Sequence, residues 1–170
     1  MIFVTVGNSI KGVEFHRLIR KVDEIALDLK EEVVAQIGYI DDLPKNIRCF
    51  RYLDYDEILS YFEKASMIIG HCGVGTVING LMYKKPIILV PRAKAYGEHI
   101  DDHQVELAEK LRDLHGIFVV EDTEELKTTI LKVRALLEKK ECEPAFSRER
   151  KRLLSFFREY VKECQTAFKQ

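Results

Sequence analysis

Met67-Ile68-Ile69-Gly70-His71-Cys72-Gly73-Val74-Gly75-Thr76-Val77-Ile78-Asn79-Gly80-Leu81-Met82 is the stretch from which the fold can be read. Its first four residues have the length and β-branched content of a buried parallel strand. Glycines 73 and 75 follow, and then a helical pattern through Val77, Ile78, Leu81 and Met82. Glycines at a strand-to-helix turn let the backbone approach a ligand closely. The first free amides of the helix then point at that ligand, which holds phosphate without a lysine. Downstream, a second strand, Pro86-Ile87-Ile88-Leu89-Val90, leads through Pro91-Arg92 into a polar loop ending Gly97-Glu98-His99-Ile100-Asp101-Asp102-His103-Gln104. Both loops leave the carboxyl ends of neighbouring strands, where open α/β sheets bind ligands. The stretch reads as a site for a nucleotide sugar.

The flanking sequence extends the pattern in both directions. Upstream, Ile2 to Val6 reads as an apolar strand stopping at Gly7-Asn8-Ser9. A helix follows with Phe15, Leu18, Ile19, Val22, Ile25, Ala26 and Leu29 on one face. Val33 to Ile37 and Ile47 to Tyr52 read as further strands around a loop containing Pro44. Leu53-Asp54 then turns into a helix with Ile58, Leu59 and Phe62 inward. Downstream, a helix from Asp102 to Leu114 ends at His115-Gly116, a good stop signal. Ile117 to Val120 is a last strand, and Asp122 caps a helix to about Lys139. Strands alternating with helices predict a Rossmann-like α/β domain with a parallel sheet covered on both faces, over residues 1–140. The dinucleotide fingerprint is absent: after Gly7 the next glycine is Gly12, and no acid ends the second strand, so NAD is not expected.

Residues 141–170 differ in character. Leu153, Phe157, Val161, Cys164 and Phe168 mark an apolar stripe. Arg148, Arg150, Lys151, Arg152, Arg158, Lys162 and Lys169 outnumber the acids around them. Such a helix packs on its own domain, seats a partner, or touches anionic lipid.

At 170 residues the chain is long enough for one domain with a real core. Lys+Arg of 27 against Asp+Glu of 28 gives no overall field, so nucleic acid is not indicated. The longest apolar runs are about half a membrane span. Met1-Ile2-Phe3-Val4 enters a strand directly, so no signal peptide is expected. The four cysteines, 49, 72, 142 and 164, contain no Cys-x-x-Cys pair, which fits reduced cytosolic thiols rather than a disulfide frame or a zinc site.

Several residues carry two readings. Gly73 and Gly75 either bind phosphate or only permit close helix–strand packing. His71 is either a core histidine at a strand end or a ligand contact. Cys72, near a helix N-terminus, invites a reactive thiolate, though no paired base is evident. Glu98, His99, Asp101, Asp102 and His103 invite a metal, with the two histidines four residues apart, but the tandem acids read better as an N-cap at about Asp101. Arg92 is either a rim charge or a partner for a donor phosphate. No general base stands out.

Met1-Ile2-Phe3-Val4-Thr5-Val6-Gly7, Gly70-His71-Cys72-Gly73-Val74-Gly75-Thr76 and Asp102-His103-Gln104 together resemble the C-terminal domain of glycosyltransferase family 28. The fuller strings Val90-Pro91-Arg92, Tyr96-Gly97-Glu98-His99 and Asp101-Asp102-His103-Gln104 resemble more closely the bacterial exopolysaccharide glycosyltransferase subunits of the PssE type. The resemblance implies the donor-binding half of a GT-B enzyme, with strand order 3-2-1-4-5-6. It implies a UDP-sugar as donor substrate, with no metal and no other cofactor. It places Gly7 and Asn8 by the diphosphate, Leu53 beside the uracil, and Gly73, Gly75 and Thr76 in the phosphate turn. Asp102, His103 and Gln104 would meet the sugar. Asn79 stands where many relatives carry a ribose-binding acid, which removes a charge-assisted bond. The other half, a membrane-associated acceptor-binding subunit, would hold a lipid-linked acceptor and seat this chain at the membrane from the cytoplasm. The tail, through Phe157 and Phe168, is the expected contact with it.

Overall fold

The computed structural model describes residues 1–8, 11–141 and 157. Strands β1 (Ile2–Thr5), β2 (Val33–Gln36), β3 (Arg48–Phe50), β4 (Met67–His71), β5 (Ile87–Val90) and β6 (Ile117–Val119) form one sheet in the order β3-β2-β1-β4-β5-β6. Every pairing is parallel, with Ile2 opposite both Val33 and Met67, Gly70 opposite Leu89 and Ile87 opposite Ile117. The architecture and the strand order are those expected from the sequence.

A parallel sheet has no solvent face, so its strands read as continuous apolar runs rather than alternating ones. Residues 2–5 and 87–90 are buried throughout. Alternate residues nonetheless serve two different cores. Ile2, Val4 and Val6 pack with α1 (His16–Ile25) through Phe15, Leu18 and Val22, and with α5 (Leu126–Glu138) through Ile130 and Val133. Phe3, Ile68 and Leu89 face the other way, against α2 (Tyr55–Lys64), α3 (Val74–Met82) and α4 (His103–Leu111). Phe157 is 6% exposed and belongs to this second core. The tail residue expected against a partner is thus covered by its own domain; Phe168 and the rest of the stripe lie outside the described residues.

The element ends shift slightly from expectation. β3 keeps three residues of the expected Ile47 to Tyr52 run, because only Arg48 to Phe50 find ladder partners on β2. Asp54 caps α2 where the sequence suggests the turn into the helix, with Glu57 reaching back to accept from the Asp54 amide at 3.0 Å. α4 starts at His103 and ends at Leu111. Its cap residue is Asp102, but Asp101 does the capping: its Oδ1 accepts from the His103 amide at 3.2 Å, while Asp102 Oδ1 accepts from Lys94 N at 2.9 Å. Asp122 caps as expected, accepting from Glu124 N, and a short 3-10 turn precedes α5.

Candidate functional site

Parallel connectivity sends the β1–α1, β4–α3 and β5–α4 loops out of the same edge of the sheet. Two of them meet through one imidazole. The His71 ring at the end of β4 lies between Gly7 and Gly73. A Cβ on Gly7 would stand 2.2 Å from His71 Cε1, and one on Gly73 would stand 2.2 Å from His71 Nε2. Gly7 also has φ +67°, a left-handed conformation that side chains disfavour. These glycines are therefore fixed by the ring that fills their space. Gly75 is different: nothing lies within 4 Å of where its Cβ would be. His71 Nδ1 and Thr76 Oγ1 are 3.2 Å apart, closing the turn.

The turn ends in an open helix N-terminus. Gly73 N donates to His71 O at 2.9 Å, and the first amide to bond back into α3 is Val77 N, which donates to Gly73 O at 3.1 Å. The Val74, Gly75 and Thr76 amides thus precede the helical ladder, and no side chain caps Gly73. Aligned peptide dipoles add about half a positive charge at such an end. His71 adds none. Burial, reinforced by the charge of Arg92, pushes its pKa down to about 3, so the imidazole is neutral at physiological pH.

Behind the Gly7 turn lies a polar lattice that the sequence reading did not single out. Thr5 Oγ1 donates to Gln36 Oε1 at 2.8 Å and accepts from Gly7 N at 3.0 Å. Gln36 Nε2 donates to Gly7 O and to Arg51 O, each at 3.2 Å. One buried carboxamide therefore ties the β1 turn to the segment entering Leu53. Its signal was present: Gln36 is a lone amide in the apolar run Val33 to Ile37.

Arg92 is not a rim charge. It is 3% exposed, with Nη2 donating to Val6 O and its guanidinium 5.4 Å from the centre of the Phe15 ring. Its backbone amide donates to Gln104 Oε1 at 3.3 Å, so the first turn of α4 is anchored to the end of β5. Glu98, also 3% exposed, is held by Arg17. Arg17 Nε reaches Glu98 Oε1 and Arg17 Nη2 reaches Oε2, both at 3.0 Å, and the same guanidinium donates to Pro91 O and Glu121 O.

The other acids and histidines of this loop pair among themselves. Asp101 sits between two imidazoles, 2.8 Å from His99 Nδ1 and 2.8 Å from His103 Nδ1. Burial would raise its pKa, but hydrogen bonds from the His103 amide and ring outweigh that and hold the carboxyl below its usual range. Of the three carboxylates in the metal reading, Glu98 is committed to Arg17, Asp101 to two imidazoles and Asp102 to Lys94 N, and no metal-holding cluster occurs among the described residues. Cys72 is buried and its thiol is pushed up to about 12 by that burial, the opposite of an activated nucleophile.

Of the residues singled out from sequence, Gly7, His71, Gly73 and Thr76 thus form one contiguous group, and Arg92 and Gln104 a second. Asn8 is exposed and Gly75 borders open space. Asn79 is half-buried one helical turn beyond Thr76. Leu53 is half-buried against the second core, two residues after Arg51, whose carbonyl accepts from Gln36. Asp102 and His103 lie at the start of α4, bound to Lys94 N and Asp101.

Comparison with known proteins fits this geometry. The model of the glycosyltransferase family 28 C-terminal domain matches residues 1–164. A UDP-N-acetylglucosamine transferase subunit, ALG13, of Candida albicans is 32% identical over 120 residues, covering 65% of this chain and 39% of its own length. The chain thus spans about two fifths of that relative. Among solved structures, the glycotransferase of kitacinnamycin superposes with TM-score 0.60 at 18% identity, over 95% of this chain and 39% of its own. The NMR structure of ALG13 superposes with TM-score 0.54 at 16% identity, over 86% of this chain and 88% of its own. At those identities the structural likeness speaks for the fold alone.

Proposed function

The chain belongs to the glycosyltransferase family 28 C-terminal domain family, and from that premise we propose that it is the donor-binding subunit of a two-part glycosyltransferase. It moves a sugar from a UDP-sugar, with UDP-N-acetylglucosamine the first to test, to a lipid-linked acceptor in polysaccharide or glycan biosynthesis. The observation that carries the reading is the α3 N-terminus, uncapped, with Gly75 open in front of it and neutral His71 wedged between Gly7 and Gly73. There the diphosphate meets free amides and a helix dipole. As the glycosidic bond breaks, negative charge builds on the UDP leaving group, and preorganised donors oppose that charge. In this reading Leu53 flanks the uracil and Asn79 the ribose. Asp102, His103 and the Nε2 of Gln104 meet the sugar.

The acceptor hydroxyl needs a general base within reach. We assign none in this chain: Glu98 is tied to Arg17, and Asp101 to two imidazoles. The base and the acceptor site are placed on a membrane-associated partner subunit, which would hold this chain at the cytoplasmic face of a membrane. No helix among the described residues is long and apolar enough to cross one.

A thermal-shift panel of UDP-sugars tests the donor site. A donor present at a hundred times its dissociation constant stabilises by about 2.7 kcal/mol. Stabilisation by none of them would favour an accessory subunit without donor chemistry. Sugar transfer to a lipid-diphosphate acceptor, assayed with and without the partner, tests the division of labour, and full turnover by this chain alone refutes it.

A further inference from the structure

Buried charges in a folded domain are ordinarily answered by an opposite charge, because an unpaired one forfeits its hydration. Two of the buried charges here follow the rule. Lys21 meets Glu124 at 2.7 Å and Glu24 at 3.1 Å, and Glu98 meets Arg17 through both oxygens. Arg92 does not. Among the described residues no carboxylate lies within ion-pair distance of it: Glu98 attracts it from farther off while hydrogen-bonded to Arg17, and the buried Nε of Arg92 has no hydrogen-bond partner. The bond from Nη2 to Val6 O uses one donor of the guanidinium and needs no full charge.

The location of this surplus charge is specific. Val6 is the residue before Gly7, and the Phe15 ring that the guanidinium faces leads into α1, so Arg92 stands directly behind the β1–α1 turn. Its field reaches His71, whose ring lies between Gly7 of the β1–α1 turn and Gly73 of the β4–α3 turn. At 3% exposure Arg92 does not touch a ligand in the cleft, but a charge enclosed by protein is weakly screened by salt.

We propose that Arg92 is a positioning residue whose positive charge, buried without an ion-pair partner and acting through space from behind the Gly7 turn, selects the diphosphate of the bound nucleotide. The inference rests on the donor-site reading above and deepens it: the helix end contributes about half a charge, and Arg92 a whole one. A purely structural arginine would support uracil, ribose and diphosphate alike. A charge that acts on the diphosphate supports UDP but not uridine.

The test is titration calorimetry of the full chain with UDP and, by competition, with uridine, for wild type, Arg92→Gln and Arg92→Lys. The expected result is that Arg92→Gln weakens UDP about tenfold, or ~1.4 kcal/mol, while uridine affinity is unchanged, and that Arg92→Lys retains the preference for UDP. Equal weakening of both ligands by Arg92→Gln, no weakening of either, or a loss in Arg92→Lys as large as in Arg92→Gln overturns the proposal. Should Arg92→Gln not fold, the wild-type Arg92 Nε–H resonance decides: it shifts on adding UDP and not on adding uridine, and an unmoved resonance overturns the proposal. A wild-type chain that binds no UDP overturns the donor-site reading first. UDP binding that ignores the charge at position 92 overturns this inference alone.

Discussion

What stands in front of each Cα divides the glycines of the diphosphate turn into two kinds. Gly73 faces the His71 ring, so Gly73→Ala must displace an imidazole that lies between Gly73 and Gly7. The expected cost is about 1–3 kcal/mol in urea unfolding. Gly75 faces open space, so Gly75→Val should leave the melting temperature nearly unchanged while abolishing UDP binding. UDP affinity surviving in Gly75→Val would remove the phosphate assignment. His71 makes a second prediction. Its folded pKa, about 3, lies below the ordinary value of 6.5, so between those pH values the unfolded chain binds more protons than the folded one. Stability should therefore fall on acidification through that window, and His71→Gln should flatten the pH profile there; parallel profiles would refute the neutral imidazole. The glycines and His71 were legible in the sequence because they are neighbours in it. Arg92 stayed open between a rim charge and a phosphate partner because the group that takes its hydrogen bond, Val6 O, is 86 residues away. Gln36 went unnoticed because its service to Gly7 and Arg51 is visible only once three strands are laid side by side.

Among elements, the β5–α4 segment depends most on distant support. The Arg17–Glu98 pair joins α1 to it across 81 residues, and Asp101 and Asp102 fasten its far end to His103 and Lys94. Glu98→Gln leaves the Arg17 guanidinium without its carboxylate, and breaking a buried pair this way costs about 3 kcal/mol. Because the same segment carries Asp102, His103 and Gln104, the variant should also lose discrimination among UDP-sugars at fixed UDP affinity. Equal discrimination in a panel of donors would show that the clasp is structural only. Among the described residues, β1 to β6 and α1 to α5 were all legible from apolar runs and helical spacing. Their ends were less so. Ile47 and Tyr52 continue the strand-like composition on either side of Arg48–Phe50 although the ladder stops short of them, and two adjacent aspartates look alike as caps until Asp102 is seen turned toward Lys94.

Over the whole molecule, the strand order was legible because parallel connections of one hand leave few arrangements of alternating strands and helices. The tail stayed open between its own domain, a partner and a lipid surface, since an apolar stripe fits any apolar surface. Phe157 lies in the core built on Phe3, Phe62 and Leu107. Phe157→Ala should therefore destabilise the isolated chain by about 3 kcal/mol; unchanged stability without a partner, and weakened assembly with one, would return Phe157 to an interface. The sheet order has one more consequence, for the chain as it is made. β1 leaves the ribosome before β2 to β6, yet it ends in the middle of the sheet, with Ile2 opposite Val33 on one side and Met67 on the other. Its second neighbour is not synthesised until some sixty residues later, so the nascent chain must carry an unsheathed strand edge until the Met67–His71 segment emerges. The turn that would hold the diphosphate is the first stretch translated after that edge is closed.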